Sequence, residues 1–312
     1  LRLRGIDDQR LEVERLVEQR EVVREAEAHA AVPARVEVQT REVLDRAEQE
    51  LQKSLRAGKK DNATVYYYLA QLNEARNNNE VALQQYRLVK EGEYVYPSRL
   101  RMVYLLNKAG KLKEAREVLR QTEAQNKQQK AQMVLIEAQL LRDAKQYDAA
   151  SQVLTQGLEK FPANEELLYE AAMVADKQGK TEIFEAYIRK LIKIAPGHAH
   201  AYNALGYSLL ERNVRLGEAM QLVEKAYQLS PEDAAIMDSM GWGYYRMGDM
   251  TRSLEFMRRA YTAYPDPEVA AHLGEVLWQT GARDEARKVW QESLKAYPDN
   301  AVLQAVIKRF MH

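Results

Sequence analysis

The chain has no cysteine among its 312 residues. That excludes a thiol nucleophile, a disulfide framework and a cysteine-based zinc site. It is compatible with an oxidising compartment without demanding one. Net charge is missing too: 46 Lys and Arg are matched by 46 Asp and Glu. A neutral chain offers no global basic field for nucleic acid. No apolar run reaches about 18 residues, so no membrane-spanning helix is expected. No signal peptide is visible, and the chain starts at Leu1 rather than Met, as a processed or trimmed start would. Histidine is scarce: His29, His198, His200, His272 and His312 are all there are. His198 and His200 are two apart, whereas a metal pair on one helix face needs a spacing of three or four. They are expected to be a solvated pair at a helix start. Gly241-Trp242-Gly243 has no preceding strand and no following Lys-Ser/Thr, so it is a packing feature and no phosphate loop. No catalytic constellation, cofactor site or metal site is expected, and the chain reads as a non-enzyme.

Repetition is what the chain has in abundance. The stretch from Ala199 to Pro298 states one pattern three times: AYNALGYSLLERNVRLGEAMQLVEKAYQLSP, DAAIMDSMGWGYYRMGDMTRSLEFMRRAYTAYP and PEVAAHLGEVLWQTGARDEARKVWQESLKAYP. Each has a Leu/Met-Gly pair early, at Leu205-Gly206, Met240-Gly241 and Leu273-Gly274. Each closes on a proline, at Pro231, Pro265 and Pro298. The glycine lets two helices approach closely, since it has no side chain to hold them apart. The proline ends the second helix, because a residue preceding proline is pushed out of the helical region. A small residue on each second helix can be followed back through the chain: Ala82, Ala115, Ala150, Phe184, Ala219, Ser253 and Ala286, at intervals of 33, 35, 34, 35, 34 and 33 residues. Phe184 is the odd member, and a ring in a place suited to a methyl predicts a splayed or shifted hairpin. The turns between the two helices fall at Asn77, Gly110, Lys145, Gly179, Asn213, Gly248 and Gly281. Glycine and asparagine suit a positive φ there. The turn after Asn213 is longer by one residue. A final helix over Ala301 to Phe310, capped by Asp299 or Asn300, is expected to cover the open end.

Two helices per roughly 34 residues is the tetratricopeptide pattern. Residues 61–298 resemble a tetratricopeptide array. The expected fold is all-α: a right-handed superhelix, or α-solenoid, of about seven helical hairpins. Residues 299–312 are its capping helix. Residues 1–57 differ, with ten Arg and the single lysine Lys53. They predict a helical pair: one helix about Asp7 to Ala31, a break at Pro33, and a second over about Ala34 to Leu55 closed by Gly58. That second helix turns Val36, Val43, Leu44, Ala47, Leu51 and Leu55 inward. The pair reads as a degenerate repeat, a cap or a foreign segment.

The strings NALGY, DSMGW and DPEVAAHLGEVLW and the closing Ile307–Arg309 are narrower than the general motif. They resemble proteobacterial periplasmic repeat lipoproteins, among them the lipoprotein partner of a carboxyl-terminal processing protease. The resemblance implies an adaptor or scaffold outside the cytoplasm, associated with the outer membrane, that binds the protease or its substrates. It implies membrane attachment only through a lipid anchor, whose cysteine this chain lacks. The alternative is a structural assembly module of a cell-envelope secretion or polymer-export complex. Nucleic acid is not expected as a partner.

In such arrays the first helix of each hairpin lines the concave side. The positions facing it read Tyr67/Gln71, Leu100/Tyr104, Leu135/Gln139, Tyr169/Met173, Asn203/Tyr207, Asp238/Trp242 and Ala271/Glu275. Tyr245 and Trp278 lie three residues further along their helices, on nearly the same face. Aromatic rings are densest in the fifth to seventh repeats. The expected protein-binding residues are Asn203, Tyr207, Asp238, Trp242, Tyr245, Arg246, Glu275 and Trp278, with Trp242 and Tyr207 exposed to the groove. Rings among amides and charges suit an extended or helical peptide; the same rings could instead fill hairpin cores. The run Tyr66-Tyr67-Tyr68 must turn at least one ring to solvent or groove. The Lys/Asn/Asn/Lys/Arg clamp of chaperone-binding members is absent from these positions, which argues against capture of an acidic C-terminal tail.

Overall fold

The computed structural model describes residues 34–56 and 62–311, with side chains from 45 onward in the first helix. The helix expected over Asp7–Ala31, Pro33, Gly58, the inward faces of Val36, Val43 and Leu44, and His29 and His312 lie outside the described residues. Everything regular among the described residues is α-helix. The chain divides into two compact units at 144/145.

The first unit holds α1 (Ala34–Arg56), α2 (Asn62–Ala75), α3 (Asn79–Leu88), α4 (Val95–Lys108), α5 (Leu112–Arg120) and α6 (Lys127–Asp143). Leu51 of α1 is buried, and Ala47 and Leu55 pack beside it against Val65, Tyr68 and Leu72 of α2. Arg76, just past α2, binds Asp45 at 2.5 Å and also Glu48. α1 thus docks onto the first hairpin through one apolar stripe and one ionic clasp. Of the tyrosine run, Tyr68 is buried and its hydroxyl meets that of Tyr94 at 3.1 Å. Tyr67 stacks on Tyr94 at 4.5 Å. Most of that run is packing.

The second unit holds α7 (Tyr147–Lys160), α8 (Glu165–Lys177), α9 (Thr181–Ile194), α10 (Ala199–Glu211), α11 (Leu216–Leu229), α12 (Ala234–Arg246), α13 (Met250–Ala263), α14 (Pro267–Gln279), α15 (Arg283–Ala296) and α16 (Ala301–Phe310). α8/α9, α10/α11, α12/α13 and α14/α15 are antiparallel hairpins. First helices also pack on the next first helix, α10 on α12, α12 on α14 and α14 on α16. α16 therefore stands where the first helix of a further repeat would stand. That arrangement defines an inner wall of first helices.

Each expected device of the repeat has a physical counterpart. All seven small-residue positions are buried, Phe184 at 2% exposure and the others at 0%. A methyl on Gly206 would come 2.5 Å from Val223 Cγ2, and one on Gly241 2.5 Å from Met257 Cγ. One on Gly274 would overlap the indole of Trp290. The seven turn residues all have positive φ, from 54° at Asn213 to 89° at Gly281. At Gly248 the turn closes with two bonds, Gly248 N–H to Tyr245 O and Asp249 N–H to Tyr244 O, which satisfy helix-end carbonyls. The longer turn places Arg215 at φ 49° as a second left-handed residue. First helices begin with side-chain caps: Asn164, His198, Asp233, Asp266 and Asn300 each accept a backbone N–H. Asn300, not Asp299, caps α16. One expectation fails. Phe184 does not splay its hairpin, and α8 and α9 stay packed along their length. Phe184 is itself buried, so the ring is taken into the packing of the hairpin.

Candidate functional site

The sequence places Asp238 and Trp242 one helical turn apart, hence on one face of α12. The structure points that face at α14, where His272 follows Asp238 by 34 residues, one repeat length. His272 Nδ1 and Asp238 Oδ2 are 2.8 Å apart, at 6% and 5% exposure. The indole of Trp242 stacks on the imidazole at 4.3 Å. Tyr207 reaches across from α10: its hydroxyl donates to Glu268 at 3.1 Å and lies 3.5 Å from His272 Nε2. One polar chain therefore links three successive first helices.

Its electrostatics follow from burial and three carboxylates. Burial by itself would push the His272 pKa down; Asp238, with Glu268 and Glu211 behind it, outweighs burial and raises it from 6.5 to about 9. With both ring nitrogens protonated, one N–H donates to Asp238 and the other faces Tyr207. The Tyr207 phenol is pushed far up by burial first, then by Glu268, Glu211 and Asp238. Three buried polar atoms on this wall have no partner: Asn203 Oδ1, Asp238 Oδ1 and Trp242 Nε1.

A second cluster lies further along the wall. The Tyr245 hydroxyl donates to Glu275 at 3.1 Å, and Arg309 of α16 also pairs with Glu275. Burial and then Glu275 raise the Tyr245 pKa, with Arg309 and Arg246 pulling the other way.

The expected site residues thus divide. Tyr207, Asp238 and Trp242 come together, and Tyr245 joins Glu275. Asn203 stands one repeat before Asp238 with its amide oxygen unmatched. Arg246 caps the end of α10, with Nε donating to Leu210 O at 3.0 Å and an Nη to Glu211 O at 2.8 Å, and its guanidinium lies 5.3 Å from the centre of the Trp242 ring. Trp278 stacks on Trp290 and meets Phe310 of α16 at a tilt, with Arg283 and Arg287 each 5.2 Å from its ring. Trp242, expected to be exposed to the groove, is 5% exposed. The reason is the close packing of α12 on α14, which inserts His272 against the indole face. Asp238, Ala271 and Glu275 are buried with it, whereas Tyr169, Met173, Asn203 and Tyr207 stay partly exposed. The wall closes in the last two repeats and is more open before them.

His272 is the residue of this candidate site that the sequence reading passed over. The available signal was the repeat length itself, which sets residue 272 beside residue 238. His198 is more than a solvated histidine: its Nδ1 accepts Ala201 N–H at 3.1 Å and its ring stacks on Tyr169. Among the described residues no three His, Asp or Glu side chains converge as metal ligands would, and no helix is long and apolar enough to cross a membrane.

Paired helices, an inner wall of first helices and a terminal helix in the next repeat's place define the helical-hairpin repeat class. A family model described as tetratricopeptide repeat matches residues 34–94, 100–165, 135–199, 169–234 and 239–301. The chain belongs to the tetratricopeptide repeat family. It is 40% identical over 211 residues to TPR repeat-containing protein PA4667 of Pseudomonas aeruginosa, a match covering 68% of this chain and 36% of that protein. The chain thus spans little more than a third of that relative's length. Among solved structures, a thermophilic tetratricopeptide protein of Thermus thermophilus, TTC0263, matches 58% of this chain and 98% of its own (TM-score 0.52, 22% identity). The APC/C hetero-tetramer Cut9–Hcn1 matches 86% of this chain and 53% of its own (TM-score 0.57, 14% identity). At those identities the likeness is one of fold. Arrays of this family generally act as protein-interaction scaffolds, because stacked repeats present an extended inner surface.

Proposed function

We propose that this chain is a non-catalytic scaffold that holds a peptide or protein segment against the α10–α12–α14 wall. On the finer reading it is a periplasmic adaptor that brings substrates to a carboxyl-terminal processing protease at the outer membrane. The observation that supports binding at this wall is the set of buried, unmatched polar atoms beside partly exposed Tyr207. A buried polar group without a partner costs about 1–3 kcal/mol, which a ligand supplying that partner recovers. The strings around Asn203, Asp238 and Leu273 support the narrower adaptor reading by resemblance.

Affinity purification on the immobilised chain, from a cross-linked envelope extract of cells that express it, tests the reading. Recovery of a processing protease with its substrates is the expected result. Recovery of a secretion or polymer-export complex favours an assembly module instead, and recovery of neither overturns the scaffold at the envelope.

A further inference from the structure

The polar atoms left open on the α10–α12–α14 wall have a bias. Two are acceptor oxygens, Asn203 Oδ1 and Asp238 Oδ1, and one is a donor, Trp242 Nε1. Asn203 and Asp238 hold the same register on neighbouring packed first helices, 35 residues apart. Around them stand three carboxylates, Asp238, Glu268 and Glu211. Asp238 shares its other oxygen with His272. Glu268 is exposed and accepts only the neutral Tyr207 hydroxyl at 3.1 Å. Among the described residues neither Glu268 nor Glu211 has a lysine or arginine ion-pair partner. Even with His272 protonated and the Arg246 guanidinium 5.3 Å from the Trp242 ring, three carboxylates face two cations, and this half of the wall is left negative. The Tyr245–Glu275 half differs, since Arg309 answers Glu275 there.

We infer that this wall holds a subsite for a basic side chain, lysine or arginine, of a bound peptide, with Asp238 Oδ1, Asn203 Oδ1 and Glu268 as its acceptors. The inference rests on reading the chain as a peptide-binding scaffold. An ammonium or guanidinium group carries several donors and no acceptor, which matches acceptor oxygens in a negative field. An acidic side chain would be opposed by the same carboxylates. Trp242 Nε1 is left for a carbonyl of the peptide backbone beside the basic residue. Asp238 is buried with Tyr207 lying over the dyad, so the incoming cation takes the place at Glu268 that the phenol holds in the free chain. The Tyr207 phenol is pushed up first by burial and then by the same Glu268, Glu211 and Asp238.

The full chain is screened on a positional-scanning array of dodecapeptides, and the best binder is resynthesised with each Lys replaced by norleucine and each Arg by citrulline. One such replacement is expected to weaken binding about tenfold or more, the scale of losing one partner of a buried charge pair. On Glu268→Gln and on Asp238→Asn, each checked for native circular dichroism, that replacement should cost clearly less than on the parent chain, since one of the carboxylates it answered is gone. Binders without a basic residue, binders with an acidic preference, or a basic residue whose contribution survives both variants overturn the subsite but leave the scaffold standing. No binding to any peptide overturns both.

Discussion

At the scale of single residues, the Asp238–His272 pair links this wall to pH. His272 is raised from 6.5 to about 9 in the folded chain. A histidine raised on folding contributes stability that is full below its unfolded pKa and is lost as pH rises through the folded value. The urea midpoint of the second unit is therefore expected to fall between pH 6.5 and about 9, and His272→Gln to flatten that fall. An equal decline in the variant would show that the pair does not carry it. The acid side has a different residue. Glu185 is held near 2, first by its hydrogen bond to Arg215 and also by Arg212, against the opposing effect of burial. Its contribution is present above about 4.5 and is lost as pH falls toward 2. Asp238 and Trp242 were legible in the sequence because one helical turn separates them. The partner that buries both was not, because sequence spacing says nothing about which face of α14 meets α12.

At the scale of the element, the hairpin crossings rest on glycine for a steric reason that substitution can separate from helix propensity. Gly274 faces Trp290, which is fully buried at 0% exposure and cannot step aside. Gly274→Ala is expected to cost about 1–3 kcal/mol by overpacking, although alanine is the better helix former. Gly217 lies in the first turn of α11 with nothing within 4 Å of an added methyl. Gly217→Ala is therefore expected to be neutral or stabilising by up to about 1 kcal/mol. Equilibrium urea unfolding of the two variants decides it, and equal effects would mean that the crossings are not tight. The turns follow a related rule. Lys145 adopts φ 58° in a position where other repeats carry Gly or Asn, so the repeat register, not residue preference, sets the backbone there. Phe184 shows the converse: a ring is buried where the other repeats carry Ala or Ser, and its hairpin stays packed.

At the scale of the molecule, each repeat rests on its neighbours, and the ends of an array need cover. In the second unit α16 packs over α14 and α15. Leu303 is fully buried, Phe310 stacks on Trp290 at 6.0 Å, and Arg309 answers the buried Glu275. Removal of residues 299–312 is expected to lower the melting temperature, shift the fluorescence of Trp278 and Trp290 to the red, and promote aggregation. A truncated chain with unchanged melting and emission would mean that α14/α15 needs no cover.

The order of residues along the chain was enough for the repeat register, the small-residue crossings, the positive-φ turns, the proline stops and the terminal helix. Each of these is set by local chemistry: a missing side chain, a fixed φ, a carbonyl that needs a donor. What the wall is made of came from packing in three dimensions. Tyr207 meets Glu268 across 61 residues, and Glu275 meets Arg309 across 34. Those pairings depend on the rotation and rise of one hairpin against the next, which follow from side-chain packing summed over whole interfaces. A difference of a few ångströms in that stacking decides whether Trp242 faces a groove or lies beneath an imidazole, and the packing of α12 on α14 placed it beneath.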